Sequence, residues 1–349
     1  MSGRQTGVKA VKAVTLADVA AAAGVSISAV SMALADHPRI GSRTKKQIHI
    51  LVEELGYVSN SAARSLRSQR SGTIALIVPN TGQRVFRHPY FMRLLAGLSD
   101  VLNARATSLL ISTNPDERHG VVAYERVLRS KAGDGAIVAS AAVDDVNVLR
   151  LVDSGLPVVL VGHYPAIADA VSVAVNDVDG ARAVTEHLRV VHGLQDIAHI
   201  SGPLNHQTAI DRVAGFKVAL GRGAGKALAV AGDFSEESGR EAARELLDQR
   251  RGLQAIFAAN DEMAYGALLE LRSRGLRVPA DIALVGYDDF GVSRLTTPAL
   301  TTVSVPAFEV GRRAATRLLD LIEGIPQQGQ ETLPVTLTVR ESCGCPPSI

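Results

Sequence analysis

From Thr73 onward the chain alternates short apolar runs with amphipathic segments of helix length, a texture that few architectures accept. The runs TIALIV, TSLLIST, GAIVAS, PVVLVG, IAHIS, LAVAG, AIFAAN and IALVGY are of strand length and mostly lack polar alternation. That pattern suits central parallel strands buried on both faces. Between them lie Phe91–Ala104, Val178–Val191, Ala209–Leu220, Glu236–Asp248 and Asp261–Arg274 at helical spacing. Strand–helix repetition predicts an α/β fold with doubly wound parallel sheets, and about 270 residues of it predict two of them.

In such sheets ligands bind beyond the carboxyl ends of the strands. The residues there are unusually polar: Pro79-Asn80, Thr113-Asn114, Ser140, His163-Tyr164, the stretch from Gly202 to Thr208, Asp233-Phe234, Asn260-Asp261 and Asp288-Asp289. For Asp261, Thr113 and Ser140 helix capping or turn chemistry is the favoured explanation. Taken together, eight polar strand ends predict a polar cleft.

The first seventy residues have a different texture. In Thr15–Ala35, TLADVAAAAGVSISAVSMALA, Thr15 can cap a helix with Asp18 as its capping-box partner, and Leu16, Val19, Ala20 and Ala23 share one face. Gly24 ends that helix, and Ser26 can cap a second whose Val30, Ala33 and Leu34 face inward. Ile27, Ser28, Ser31 and Met32 then point away from the packed face. A helix-turn-helix and an ordinary alanine-rich helical hairpin fit this stretch equally. Thr44–Leu55 reads as a third helix entered near Gly41 or Ser42 and closed by Gly56, while Ser61–Leu66 is too short to hold a helix alone in water.

Charge separates the two regions. Residues 1–70 carry ten Lys and Arg against four Asp and Glu, a net +6, so the remainder of a chain with overall net charge +2 carries −4. A basic module on a mildly acidic body suits a partner that presents phosphates at one end only. With 46% hydrophobic and 21% charged residues, the 349-residue chain reads as two or three soluble domains. No apolar run approaches the roughly 18 residues of a membrane span. The N-terminus lacks the apolar core of a secretory signal, so a cytoplasmic protein without membrane contact is expected. Cys343 and Cys345 form a C-x-C with no partner ligands nearby in sequence, so no disulfide framework, zinc site or other metal site is expected.

The whole chain resembles the lactose and galactose repressor family of transcription regulators. The DNA-binding signature is carried by TLADVAAAAGVSISAVSMAL, GYVSNSAARSL and TIALIVPN. The effector-domain signature is carried by HPYF, GPLNHQTAIDRVAGF, GDFSEESG, FAANDEMAYGAL, LVGYDDF, TPALTTVSVP and VRES. The resemblance implies a basic tail (1–14), a small all-α helix-turn-helix domain (15–58), a hinge helix and linker (59–72), and a two-lobed α/β periplasmic-binding-protein-like effector and dimerisation domain (73–349). Its N-lobe would span about 73–174 plus part of 300–325, and its C-lobe about 175–299 plus the C-terminal segment.

On this resemblance, Ile27, Ser28 and Met32 read bases in the major groove. Thr15, Ser26, Ser31, Arg43 and Thr44 lie at the DNA, the last four as phosphate contacts. Asn60, Ala63 and Leu66 belong to a hinge that docks in the minor groove, Leu66 as a wedge. The effector positions map onto Tyr90, Phe91, His206, Thr208, Arg212, Phe234, Asn260 and Asp288. Arg212 either grips ligand oxygens or pairs with Asp288. His206 stands where purine-binding members often have arginine, which argues against a purine and leaves a sugar among the candidates. The implied partners are a pseudo-palindromic double-stranded DNA operator, a small-molecule effector and a second copy of the chain, with no cofactor. No leucine heptads follow Ile325, so a dimer rather than a tail-linked tetramer is expected. Two other classes share the scaffold. A solute-binding protein would need an export signal and no residues 15–70. An enzyme would need a catalytic set that the chain does not offer; GRGAGK at 221–226 misses a phosphate loop, with Leu220 and Ala227 at its first and last required positions.

Overall fold

The computed structural model describes residues 14–34, 36–57, 70–116, 120–130, 133–167 and 169–346. The chain divides into two compact units, Met1–Ser71 and Gly72–Ile349.

In the first unit, helices α1 (Leu16–Ala23) and α2 (Ile27–Leu34) are bent by 101° at the turn between them. The turn follows from local chemistry. Asp18 accepts from the Thr15 backbone N at 2.8 Å and completes the capping box, and Gly24 takes a left-handed φ of 64°. Val25 then donates to the Ala20 carbonyl at 3.1 Å, and Ala29 donates to Ser26 Oγ at 3.1 Å to start α2. Helix α3 (Ser42–Leu55) packs across both, and Val19, Ala20, Val30, Ala33 and Ile48 form the buried core. Helix α3 begins at Ser42 with Gly41 at its N-cap, at the entry expected near Gly41 or Ser42. The hinge positions Asn60, Ala63 and Leu66 lie outside the described residues.

The second unit has two lobes. The N-lobe sheet has the order β11-β5-β4-β3-β1-β2, all parallel: β1 (Thr73–Thr81), β2 (Ser108–Asn114), β3 (Gly135–Ala139), β4 (Val158–Val161), β5 (Ser172–Val175) and β11 (Gln330–Leu333). The C-lobe sheet, β7-β6-β8-β9, is also parallel, with β6 (Ile197–Ser201), β7 (Ala229–Ala231), β8 (Ala255–Ala258) and β9 (Ala283–Val285). Strands β10 (Thr302–Ser304) and β12 (Thr336–Thr338) pair antiparallel. The apolar runs read as strands buried on both faces. Ile74, Leu76 and Val78 enter one N-lobe core cluster and Ala75 and Ile77 the other. Edge strand β7, by contrast, is largely exposed.

The helices that frame the cleft are α4 (Pro89–Ala104), α5 (Asp177–Glu186), α6 (Gln207–Leu220), α7 (Glu236–Gln249), α8 (Asp261–Ser273) and α9 (Ala307–Glu323). Helix α9 belongs to the N-lobe and crosses α4 at Gly97, where a Cβ would fall 1.9 Å from the Phe308 carbonyl oxygen. The chain therefore passes between lobes three times: after β5, after β10 and after β11. Strand β11 joins the N-lobe sheet, beyond the 300–325 stretch that the sequence reading assigned to that lobe. The expected helix Val178–Val191 is two elements, because α5 ends at Glu186 and continues as a π turn over His187–Val191. The C-x-C is not isolated: Cys343 and Cys345 meet His187 and His192, a convergence that their sequence separation concealed.

Candidate functional site

The first unit presents the outer face of α2. Ile27 is 49% exposed, and Ser26 and Ser28 are also exposed, their hydroxyls 2.9 Å apart. Ser31 and Met32 are half-buried along the same helix. At the start of α3, Arg43 is exposed and Thr44 half-buried. Lys45 is already engaged by Asp36, while Arg43 and Lys46 are exposed on that turn.

The second unit holds a cleft of about 1260 Å³ between its lobes. The carboxyl ends of β1, β3 and β4 supply Asn80, Ser140 and Tyr164 from one side, while the C-lobe supplies residues near β6, β7 and β9 from the other. Three of its lining residues, Ser140 (φ 59°), Phe234 (69°) and Asp288 (110°), hold a left-handed backbone that side chains rarely adopt. Strain of this kind concentrates at functional sites.

Arg212 on α6 is the centre of the polar network. It donates from Nε to Asp177 Oδ1 at 2.8 Å, pairs with Asp288 Oδ1 at 3.2 Å, donates to the Ala259 carbonyl, and lies 3.7 Å over the Tyr287 ring. All four groups are buried. Burial opposes the guanidinium charge, but Asp177 and Asp288 outweigh it and hold its pKa above normal. Burial also raises the carboxylates, Asp177 against the pull of Arg212 and Asp288 to about 8. Glu262, whose pKa burial likewise raises, faces the same cluster. Burial and then Arg212 lower His88 to about 4, so its imidazole is neutral. Seven carboxylates and two arginines line the cleft as a whole.

The apolar half is aromatic. Tyr90 and Phe91 meet edge-on with ring centroids 5.5 Å apart, and His88 approaches Phe234 across the lobes at 6.5 Å. Two further contacts tie the lobes: His163 Nδ1 lies 2.9 Å from Asp211 Oδ2, and Val143 donates to the Asn205 carbonyl at 2.9 Å.

The sequence-derived positions Tyr90, Phe91, His206, Thr208, Arg212, Phe234 and Asp288 all line the cleft. Asn260 does not. Its Oδ1 accepts from Met263 N at 2.9 Å as the N-cap of α8, and its amide donates to the Phe234 carbonyl at 2.9 Å. Only Oδ1 caps the helix; the same amide also lies 2.9 Å from Glu262 Oε2 and 3.3 Å from His88 Nε2, so Asn260 braces cleft-lining groups from within the core. Sequence reasoning missed Asp177, although it stands two residues beyond the apolar run SVAV, now β5, and the strand-end rule would have found it. It also missed Glu262, the second residue of the helix that Asn260 caps.

Residues 15–60 match the model for bacterial regulatory proteins of the lacI family, and residues 185–343 match a periplasmic binding protein-like domain. The HTH-type transcriptional regulator CelR of Thermobifida fusca is 35% identical over 337 residues, covering 94% of this chain and 98% of CelR. The chain belongs to the LacI family. This regulator also matches the solved CelR–cellobiose complex, with a TM-score of 0.72 and 32% identity over 94% of this chain and 99% of that one. It matches the Lac repressor dimer bound to operator and the anti-inducer ONPF with a TM-score of 0.83 and 28% identity over 95% and 99%. As a LacI-family member it is a DNA-binding transcriptional regulator, and its relatives are regulators rather than enzymes. Its described residues include no single helix long and apolar enough to cross a membrane; the bent pair that passes by composition is α1 with α2, the helix-turn-helix itself.

Proposed function

We propose that this LacI-family regulator is a cytoplasmic, homodimeric repressor whose operator affinity is set by a neutral carbohydrate held between the lobes of the second unit. Two copies place two α2 helices on a pseudo-palindrome, since two-fold symmetry in a protein asks for it in the site. Ile27, Ser28 and Met32 offer base edges apolar contact and one hydroxyl, so Thr15, Ser26, Ser31, Arg43 and Thr44 supply affinity through the backbone. Asn60, Ala63 and Leu66 complete the reading from the minor groove.

One observation carries the choice of ligand: Arg212 is spent on Asp177 and Asp288. An anionic ligand would find no free guanidinium at the centre of the cleft and would add charge to an acidic wall. A neutral polyol suits the site instead, its hydroxyls donating to Asp288 and Glu262 and its ring faces lying on Tyr90, Phe91 and Phe234. The volume exceeds the usual range of about 300–1,000 Å³ for small-ligand pockets, room for a disaccharide or longer. CelR's complex with cellobiose supports the same class. Ligand acts by binding one arrangement of the lobes more tightly than another.

The test is fluorescence anisotropy of full-length protein on DNA selected from a random pool. The expected operator is pseudo-palindromic, and at least one neutral oligosaccharide shifts its affinity. A response confined to phosphorylated or purine ligands overturns the carbohydrate assignment.

A further inference from the structure

The C-terminal C-x-C lies at the end of α5 opposite the one that carries Asp177, outside the cleft. There four side chains aim at one point. His187 Nε2 is 3.4 Å from Cys343 Sγ and 3.7 Å from Cys345 Sγ, His192 Nε2 is 3.4 Å from Cys345 Sγ, and the two Nε2 atoms are 3.3 Å apart. All four donor atoms lie within 4.8 Å of one another.

These separations are those of a tetrahedral shell. With Zn–S of about 2.3 Å and Zn–N of about 2.0–2.1 Å, tetrahedral angles put two nitrogens about 3.3 Å apart and a nitrogen and a sulfur about 3.5 Å apart. Hydrogen bonding alone explains the cluster poorly. Two imidazole nitrogens at 3.3 Å bring lone pairs together unless a proton or a cation stands between them.

The backbone is shaped for the same purpose. His187 and His192 are five residues apart, a spacing that an α-helix sends to different faces and a π turn stacks, and the π turn covers His187–Val191. Their rings meet at 5.0 Å. Between the cysteines, Gly344 has φ 106°, and a Cβ there would sit 3.4 Å from the His192 ring, so glycine lets both thiols turn inward. Thr301 Oγ1 donates to Cys343 Sγ at 3.1 Å, a support suited to a thiolate ligand. The tail is anchored just before the site, with Ala299 N donating to Glu341 Oε2 at 2.9 Å and Ser342 N to the Ala299 carbonyl at 3.0 Å.

We propose that His187, His192, Cys343 and Cys345 form a zinc site that clamps the C-terminal tail to the end of α5. Two nitrogens and two sulfurs in tetrahedral array select zinc, and four protein ligands leave no open position, so the role is structural. Binding releases the two thiol protons to solvent and involves no redox step.

The test uses full-length protein, free of any affinity tag, purified anaerobically under reducing conditions. Elemental analysis after gel filtration is expected to find one zinc per chain. Cobalt(II) exchanged into the site is expected to give the visible absorption of tetrahedral thiolate coordination. Cys345→Ser and His192→Ala are each expected to lose both signals while circular dichroism keeps the helical fold; should a variant fail to fold, the wild-type cobalt spectrum decides alone. Two free thiols with no zinc retained, retention of zinc by both variants, or a Cys343–Cys345 disulfide in the anaerobic protein would each overturn the proposal.

Discussion

Arg212 donates to Asp177 across 2.8 Å from one helix to the next, and both side chains are less than 9% exposed. This pair joins α6 to the start of α5 at the floor of the cleft, so the cation is part of the scaffold before any ligand arrives. Replacing Arg212 with methionine leaves the Asp177 carboxylate buried without its ion-pair partner and removes the guanidinium from beside Asp288. Removing one partner of a buried pair costs about 3–5 kcal/mol. Urea unfolding of the Arg212→Met variant should show that loss; a change under about 1 kcal/mol, the worth of an exposed pair, would contradict it.

Asp288 gives a pH signature. Burial raises its folded pKa to about 8, against 3.8 for a free aspartate side chain, so between these values the native state holds a proton that the unfolded chain has released. Stability from this group is therefore fully present below the lower value and is lost as pH rises through the upper one, by at most about 1.4 kcal/mol per pH unit. Asp288→Asn should flatten the decline. Chemical denaturation of both proteins across this range tests it, and parallel curves would rule out Asp288 as the source.

At the DNA end, backbone and base contacts separate by salt. Arg43→Ala should weaken binding to every sequence alike and reduce the slope of log affinity against log salt by about 1. Met32→Ala should leave the slope unchanged and alter base preference at one position per half-site. Anisotropy titrations over a salt series distinguish the two, and an unchanged slope in Arg43→Ala removes that residue from the phosphate contacts.

Much of this was legible in the sequence because it rests on local patterns. The capping box of Thr15 and Asp18, the left-handed Gly24 and the doubly buried strands follow from short-range chemistry. So do the strand-end residues Tyr164, Phe234 and Asp288. What escaped depends on distant partners. Asn260 looks like a ligand group by position, but a helix N-terminus and the Phe234 carbonyl claim its amide. Arg212 could face ligand or carboxylate, and only the approach of α5 decides. Strand β11 sits in the N-lobe through a third crossing that no local signal marks. His187 and His192 are more than 150 residues from Cys343, and their meeting requires a π turn that an apolar helical pattern does not announce.

The central claim is that the cleft selects neutral polyols because Arg212, the arginine at its centre, is already paired. Isothermal titration of the full-length protein with a panel of neutral di- and trisaccharides, each beside its singly carboxylated counterpart, tests this most directly. The account predicts that the best neutral sugar binds at least about tenfold more tightly than its acid, a difference of about 1.4 kcal/mol. An acid that binds as tightly as its neutral counterpart, or more tightly, would show that Arg212 is available to ligand and would contradict the account.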